Sequence, residues 1–247
     1  MYTSQVASLN QLAFVVFGRN CGVDFQKTLD TVEQVVVLYP NIKFQIVVVD
    51  DGSSDDSQQL VNENLFSSVD KVLLPESIGI SGAIHTGVLR VKTERMIWLP
   101  ASNMYGKTAI CNLIDNSDNA DLVIGFRSNL TTTRPIVKLF SSLLVRGIMH
   151  FLTFHFISDF KACNLYYTKD VREWLSPTGS YGGELILITQ ILLRTTKIVQ
   201  VPTPLNELHN QRQSKKMSDN WPSRKAIFSV IKAIITSVLL YKSKNRT

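Results

Sequence analysis

The sequence predicts an α/β fold in which a mostly parallel central sheet is flanked by helices. Two observations carry this expectation. Short apolar runs rich in β-branched residues recur through the first half of the 247-residue chain, with segments of helical periodicity between them; such alternation implies right-handed βαβ crossovers and a parallel sheet. One of the runs, Phe44 to Val49, stops on Asp50-Asp51-Gly52-Ser53. That places two carboxylates where a strand ends and a helix begins, the edge at which open α/β sheets bind ligands.

The elements follow in order. Leu12 to Phe17 is the first strand, followed by helical periodicity near 24–38. Phe44 to Val49 is the second; a continuous apolar run bounded by turn residues reads as a strand buried on both faces. Ser53, Ser54 and Asp55 are good N-cap residues for a helix from about 55 to 65. Val69 to Leu74, Met96 to Leu99 and Leu122 to Ile124 continue the strands, with helices near 80–92 and 105–115. The second half changes character. Ile136 to Ile157 is apolar but interrupted by Lys138, Arg146, His150 and His155. It reads as one or two amphipathic helices or as buried core helices, since a bilayer span needs about 20 uncharged apolar residues. Ser223 to Tyr241 is apolar on most of its circumference and broken by Arg224, Lys225 and Lys232. It suits either an anionic membrane surface or packing on the sheet. Residues 1–216 are therefore expected to form the main domain and 217–247 a basic amphipathic C-terminal helix and tail.

Composition narrows the function classes. The 45% apolar content suits one globular core. Cys21, Cys111 and Cys163 are far apart and form no CxxC pair, which predicts reduced thiols and a cytoplasmic setting, and four scattered histidines give no zinc cluster. Met1 to Asn10 lacks the basic start and apolar stretch of a secretory signal. The net charge of +6 is concentrated at one end: nine basic residues stand against one acid from His209 to Thr247, while the preceding 208 residues carry 17 basic and 19 acidic groups. The basic tail points to an anionic membrane face or a phosphate ligand. No basic face interleaved with aromatics suggests nucleic acid.

VVVDDGSSDDS, followed by Ser77-Ile78-Gly79-Ile80-Ser81-Gly82-Ala83 and His85-Thr86-Gly87, resembles the nucleotide-sugar domain of family 2 glycosyltransferases of the GT-A fold. It is most similar to the dolichyl-phosphate mannosyltransferase and polyprenyl-phosphate glycosyltransferase branch. The resemblance implies that Asp50 and Asp51 contact the base and ribose of a nucleotide-sugar donor, since carboxylates accept hydrogen bonds from base N–H groups and ribose hydroxyls. It implies that Gly79, Gly82 and Gly87 let a helix approach the donor, although such glycines also suit close helix-to-sheet packing. In the loop after the first strand, Phe17-Gly18-Arg19-Asn20-Cys21, only Asn20 matches the family pattern.

Where the family carries Asp-x-Asp, holding the Mg²⁺ or Mn²⁺ that bridges the donor diphosphate, this chain has Pro100-Ala101-Ser102-Asn103. Ser102 and Asn103 offer only neutral oxygens, whereas such a cation is normally held through carboxylates. Three alternatives remain open: a metal held by the diphosphate and water, replacement by Arg127, Arg212 and Lys215, or binding without turnover. Downstream, Ile124-Gly125-Phe126-Arg127 resembles the family's GxR element, implying that Arg127 clamps a phosphate. Asp159 begins a segment that shapes the acceptor side, and Tyr181-Gly182-Gly183-Glu184 resembles the element with a Glu at a helix start. The final resemblance covers Val199-Gln200-Val201-Pro202 and the Arg212-Gln213-Ser214-Lys215 loop. The implied activity is inverting transfer of a sugar to a polyprenyl phosphate or a growing surface glycan, with Asp159, Glu184 and Arg127 catalytic and the protein peripheral on a membrane's cytoplasmic face.

Overall fold

A computed structural model describes residues 9–63, 69–118, 120–129, 146–159, 161–175, 183–195 and 197–207, together with 235, 236 and 239. The chain order is β1 (Gln11–Gly18), α1 (Val23–Leu38), β2 (Lys43–Asp50), α2 (Ser57–Glu63), β3 (Val69–Leu73), α3 (Ile80–Arg90), β4 (Arg95–Pro100), α4 (Lys107–Asp115) and β5 (Leu122–Phe126). Then come helical residues 146–153, here α5, β6 (Asn164–Tyr167), α6 (Thr168–Trp174), α7 (Gly183–Leu192) and β7 (Ile198–Pro202). The five strands expected from the apolar runs are all present, within one or two residues of their expected ends.

These strands form one seven-stranded sheet in the order β3-β2-β1-β4-β6-β5-β7. All pairings are parallel except those of β6 with β4 and β5. The order reverses between β1 and β4, so the loops after these strands flank a topological switch point. Alternate residues of β1 feed two separate cores: Leu12, Phe14 and Val16 pack with α1 and α4 residues such as Phe25, Val32 and Leu113. Ala13, Val15 and Phe17 pack with Ile84 and Val88 of α3, Trp174 of α6 and Leu187 of α7. The sheet is therefore a buried middle layer, as a continuous apolar strand requires.

Close contact on the second face depends on Gly87. A Cβ there would lie 2.5 Å from Val15 Cγ1 and 3.0 Å from Val49 Cγ2. Gly87 thus sets how closely α3 packs on the sheet. The short antiparallel β6, and α6 behind it, were not among the elements expected from sequence. Of the apolar stretch from Ile136 to Ile157, residues 136–145 lie outside the described residues. So does the C-terminal segment from Ser223, apart from helical residues 235, 236 and 239. No described helix is long and apolar enough to cross a membrane.

Candidate active site

The site is built at the edge where β1, β2, β4 and β5 end. Gly52, in the turn after β2, has φ 64° and a Cβ would meet the Glu76 backbone at 2.5 Å and Ser77 N at 2.7 Å. Only glycine allows this turn to lie against the 76–77 backbone without strain. Asp50 is fully buried. Its Oδ1 accepts from Ser53 N and Gln58 Nε2, each at 2.9 Å, and its Oδ2 from Ser53 Oγ at 2.5 Å. Ser53 Oγ also accepts from Asn20 N at 2.9 Å, while Ser54 N donates to Asn20 Oδ1 at 2.8 Å. The two loops are stitched further by Ser57 Oγ, which accepts from Cys21 N and Gly22 N.

Asp51 holds the neighbouring loop. Its Oδ1 accepts from Ile78 N at 2.8 Å, and its Oδ2 from Ser77 Oγ at 2.7 Å and Gly79 N at 3.1 Å. Those amides precede α3, so the carboxylate supplies both charge and acceptors at a helix N-terminus. A carboxylate has about four lone-pair positions. Each aspartate therefore has three engaged by its own chain and about one left for a ligand. Their immediate work is to shape the loop after β2 and the loop before α3.

The region after β4 is clasped from the far end of the chain. Ala101 N donates to Phe17 O at 2.7 Å, joining the two switch-point loops. Asn103 has φ 52°, and Asn206 Nδ2 donates to both its O and its Oδ1 at 2.9 Å. The Asn103 amide oxygen, in the region where the family pattern would carry a metal-binding carboxylate, is thus already an acceptor. Among the described residues no three His, Cys, Asp or Glu side chains come together to hold a metal. Asp50 and Asp51 are turned into their own loops. This donor set does not fit a resident Mg²⁺ or Mn²⁺, for which carboxylate oxygens are expected.

Arg127, Asp159 and Glu184, far apart in sequence, meet at this same edge. Arg127 Nε donates to Asp159 Oδ2 at 2.6 Å and Nη2 to Oδ1 at 2.9 Å; Lys161 N adds a bond to Oδ1 at 3.0 Å. Burial opposes the charge on each partner, but the bidentate pairing outweighs it, lowering the Asp159 pKa and raising that of Arg127. Glu184, in the first turn of α7, is in no ion pair among the described residues. Burial pushes its carboxyl up to about 7, opposed by Lys161 and Arg127 and reinforced by Asp159. The side chain of Tyr105 is buried against the group, its hydroxyl donating to Lys161 O at 3.5 Å.

Nine of the residues expected from sequence therefore share one sheet edge: Asn20, Asp50, Asp51, Gly79, Ser102, Asn103, Arg127, Asp159 and Glu184. Arg212 and Lys215 lie outside the described residues. Sequence reasoning missed Gln58, Ser77, Lys161, Tyr105 and Asn206. Of these only Ser77, next to the glycine segment, and Lys161, in the segment that Asp159 begins, carried a local signal.

The glycosyl transferase family 2 model matches residues 15–138. A dolichyl-phosphate beta-glucosyltransferase of Trichomonas vaginalis is 23% identical over 193 residues, covering 70% of this chain. The chain spans 56% of that relative's length. Glucosyl-3-phosphoglycerate synthase of Mycobacterium tuberculosis, solved with Mn²⁺, UDP and glucosyl-3-phosphoglycerate, superposes with a TM-score of 0.65 at 15% identity, over 94% of this chain and 81% of that one. Its complex with UDP alone gives 0.66 over 95% and 81% at the same identity. These solved neighbours establish the GT-A architecture.

Proposed function

The chain belongs to glycosyl transferase family 2, and from that premise we propose that it moves a sugar from a nucleotide-sugar donor to a polyprenyl phosphate. The observation that carries the proposal is the convergence of Asp50, Asp51, Arg127, Asp159 and Glu184 on the C-terminal edge of the sheet, beside its switch point, where α/β folds take nucleotides. The nucleoside docks on the loops that Asp50 and Asp51 hold, with Asn20 and Gly79 on either side. The sugar and diphosphate extend across Ser102 and Asn103 toward Arg127.

The acceptor oxygen attacks the anomeric carbon in line, its lone pair forming the new bond as the bonding pair leaves with the diphosphate. The chief demand is stabilisation of charge on that leaving group. Arg127 retains N–H groups beyond the two that Asp159 takes and offers them as hydrogen-bond donors, while Lys161 supplies positive charge that no carboxylate has neutralised by ion pairing among the described residues. Arg212 and Lys215 complete it in the proposal. A phosphate acceptor is already anionic and needs no base. A sugar hydroxyl, as on a growing surface glycan, does need one, and Glu184 is the better candidate because Asp159 is held ionised by Arg127.

A lipid acceptor is supported by two further observations. The Trichomonas relative is a dolichyl-phosphate enzyme by name. At the end of α5, Phe151, Phe154 and Phe156 are 76%, 84% and 74% exposed, a local apolar surface of the kind that meets lipid. Calorimetric titration with UDP- and GDP-sugars, followed by transfer to dolichyl or undecaprenyl phosphate, tests the proposal. Donor binding without any product would reject transfer and leave a binding protein.

A further inference from the structure

The opposite edge of the sheet, where the parallel strands begin, holds a cavity of about 800 Å³. Arg95, the first residue of β4, lines it together with Lys92, Lys169 and Lys197; the acids there are Glu94 and Asp121. Arg95 is only 6% exposed. Its Nη1 donates to Ala120 O at 2.8 Å, but Nε and Nη2 are buried without a hydrogen-bond partner. A buried guanidinium with two unmade bonds is costly, and such groups are normally satisfied.

The unfilled atoms are informative as a pair. Nε and Nη2 form the side-on fork of the guanidinium, whose two parallel N–H bonds match two oxygens of one oxyanion. Arg127 uses that same fork to hold Asp159. At Arg95 it has no carboxylate: none of the ion pairs among the described residues involves Arg95, Lys92, Lys169 or Lys197. Asp121 accepts instead from Thr195 Oγ1. The Arg95 guanidinium lies 4.2 Å from the centre of the Tyr167 ring and the Lys169 ammonium 5.2 Å from it. Two cations against one ring concentrate positive charge that an anion in the cavity would offset.

We propose that this cavity binds a phosphate-type oxyanion, taken side-on by Arg95 and closed by Lys92, Lys169 and Lys197. The site is separate from the donor edge and does not depend on the proposed transfer. β4 joins the two, carrying Arg95 at its start and leading into Ser102 and Asn103 at its end.

Inorganic phosphate titrated into the full chain, against chloride at matched ionic strength, tests this by calorimetry and thermal melting. The expected result is saturable binding, with Tm raised by about 5–10 °C at a hundred times Kd. Arg95→Met should abolish the response while the chain stays folded. The double variant Lys92→Ala/Lys169→Ala, altered only on the surface, should weaken phosphate about tenfold or more. Equal phosphate response in wild type and Arg95→Met, or unchanged affinity in the double variant, would overturn the proposal. Phosphatidic acid vesicles distinguish the source: displacement of bound phosphate that phosphatidylcholine vesicles do not cause assigns a lipid headgroup, and retention of phosphate assigns a free one.

Discussion

Arg127 and Asp159 are joined side chain to side chain at two points, Nε to Oδ2 at 2.6 Å and Nη2 to Oδ1 at 2.9 Å, and at a third by Arg127 N donating to Oδ2 at 3.4 Å, with side chains only 11% and 14% exposed. The pair closes the β5 end against the segment before β6. It also separates the two acidic groups, because a carboxylate held this way loses its proton more readily while burial makes its neighbour Glu184 hold one more tightly.

Asp159→Asn leaves Arg127 buried without its counter-charge and should cost about 3 kcal/mol, measured by urea unfolding at pH 7. The pH dependence has a definite sign. The folded Asp159 pKa lies below its ordinary value of 3.8, so its stabilisation is complete above that value and is lost as pH falls through the lower folded pKa. Asp159→Asn should flatten this acid-range loss. An unchanged acid limb would mean the pair adds nothing.

Glu184 carries the opposite sign. Its carboxyl moves from 4.5 up to about 7, so the folded state binds the proton more tightly and stability falls as pH rises between these values. Glu184→Gln should remove that slope and gain up to about 3 kcal/mol above pH 7. Transfer to a lipid phosphate should survive the substitution within about tenfold, whereas transfer to a hydroxyl acceptor should drop about 10²–10⁴-fold. Equal losses for both acceptors would remove Glu184 from the role of base.

Gly52→Ala should be among the most damaging changes at the edge where donor binding is proposed. The new Cβ would lie 2.5 Å from backbone that cannot swing aside, and the residue has φ 64°. A loss of about 2–3 kcal/mol is expected by thermal unfolding, with donor affinity falling alongside. Wild-type stability would show that the turn relaxes freely.

Asn206→Ala removes both bonds to Asn103 and should cost about 1–2 kcal/mol. Because neither residue supplies a carboxylate, Mn²⁺ should change donor affinity by less than about tenfold in wild type and variant alike. A larger Mn²⁺ dependence in titrations with and without EDTA would place a metal site the described residues do not provide.

Much of this architecture was legible from local pattern. The five apolar runs became β1 to β5 because an unbroken β-branched run is readable when both faces are buried. Asp55 stands two residues before the first residue of α2 rather than at its start, and its Oδ1 accepts from Ser57 N at 3.0 Å in a local Asx turn. Four-residue β6 was not legible, because its pairing with β4 and β5 is set by tertiary contact. The roles of Asp159 and Glu184 followed from family resemblance, but the pairing of Asp159 with Arg127 and the burial that raises the Glu184 carboxyl required the folded chain. The Asn103–Asn206 clasp joins residues 103 positions apart, with no periodicity to announce it. Asp50 and Asp51 were placed correctly at the strand end, yet their loop-organising bonds became visible only with Gln58 and Ser77 in position.

The most direct measurement is transfer of radiolabelled sugar from UDP- and GDP-sugars to dolichyl or undecaprenyl phosphate by the full chain, compared with Asp51→Ala. Labelled lipid should form with wild type. It should be lost with Asp51→Ala together with donor binding, because Ser77, Ile78 and Gly79 lose their common acceptor. Donor binding with no labelled lipid from any pair would contradict transfer, and full donor affinity in Asp51→Ala would contradict the site.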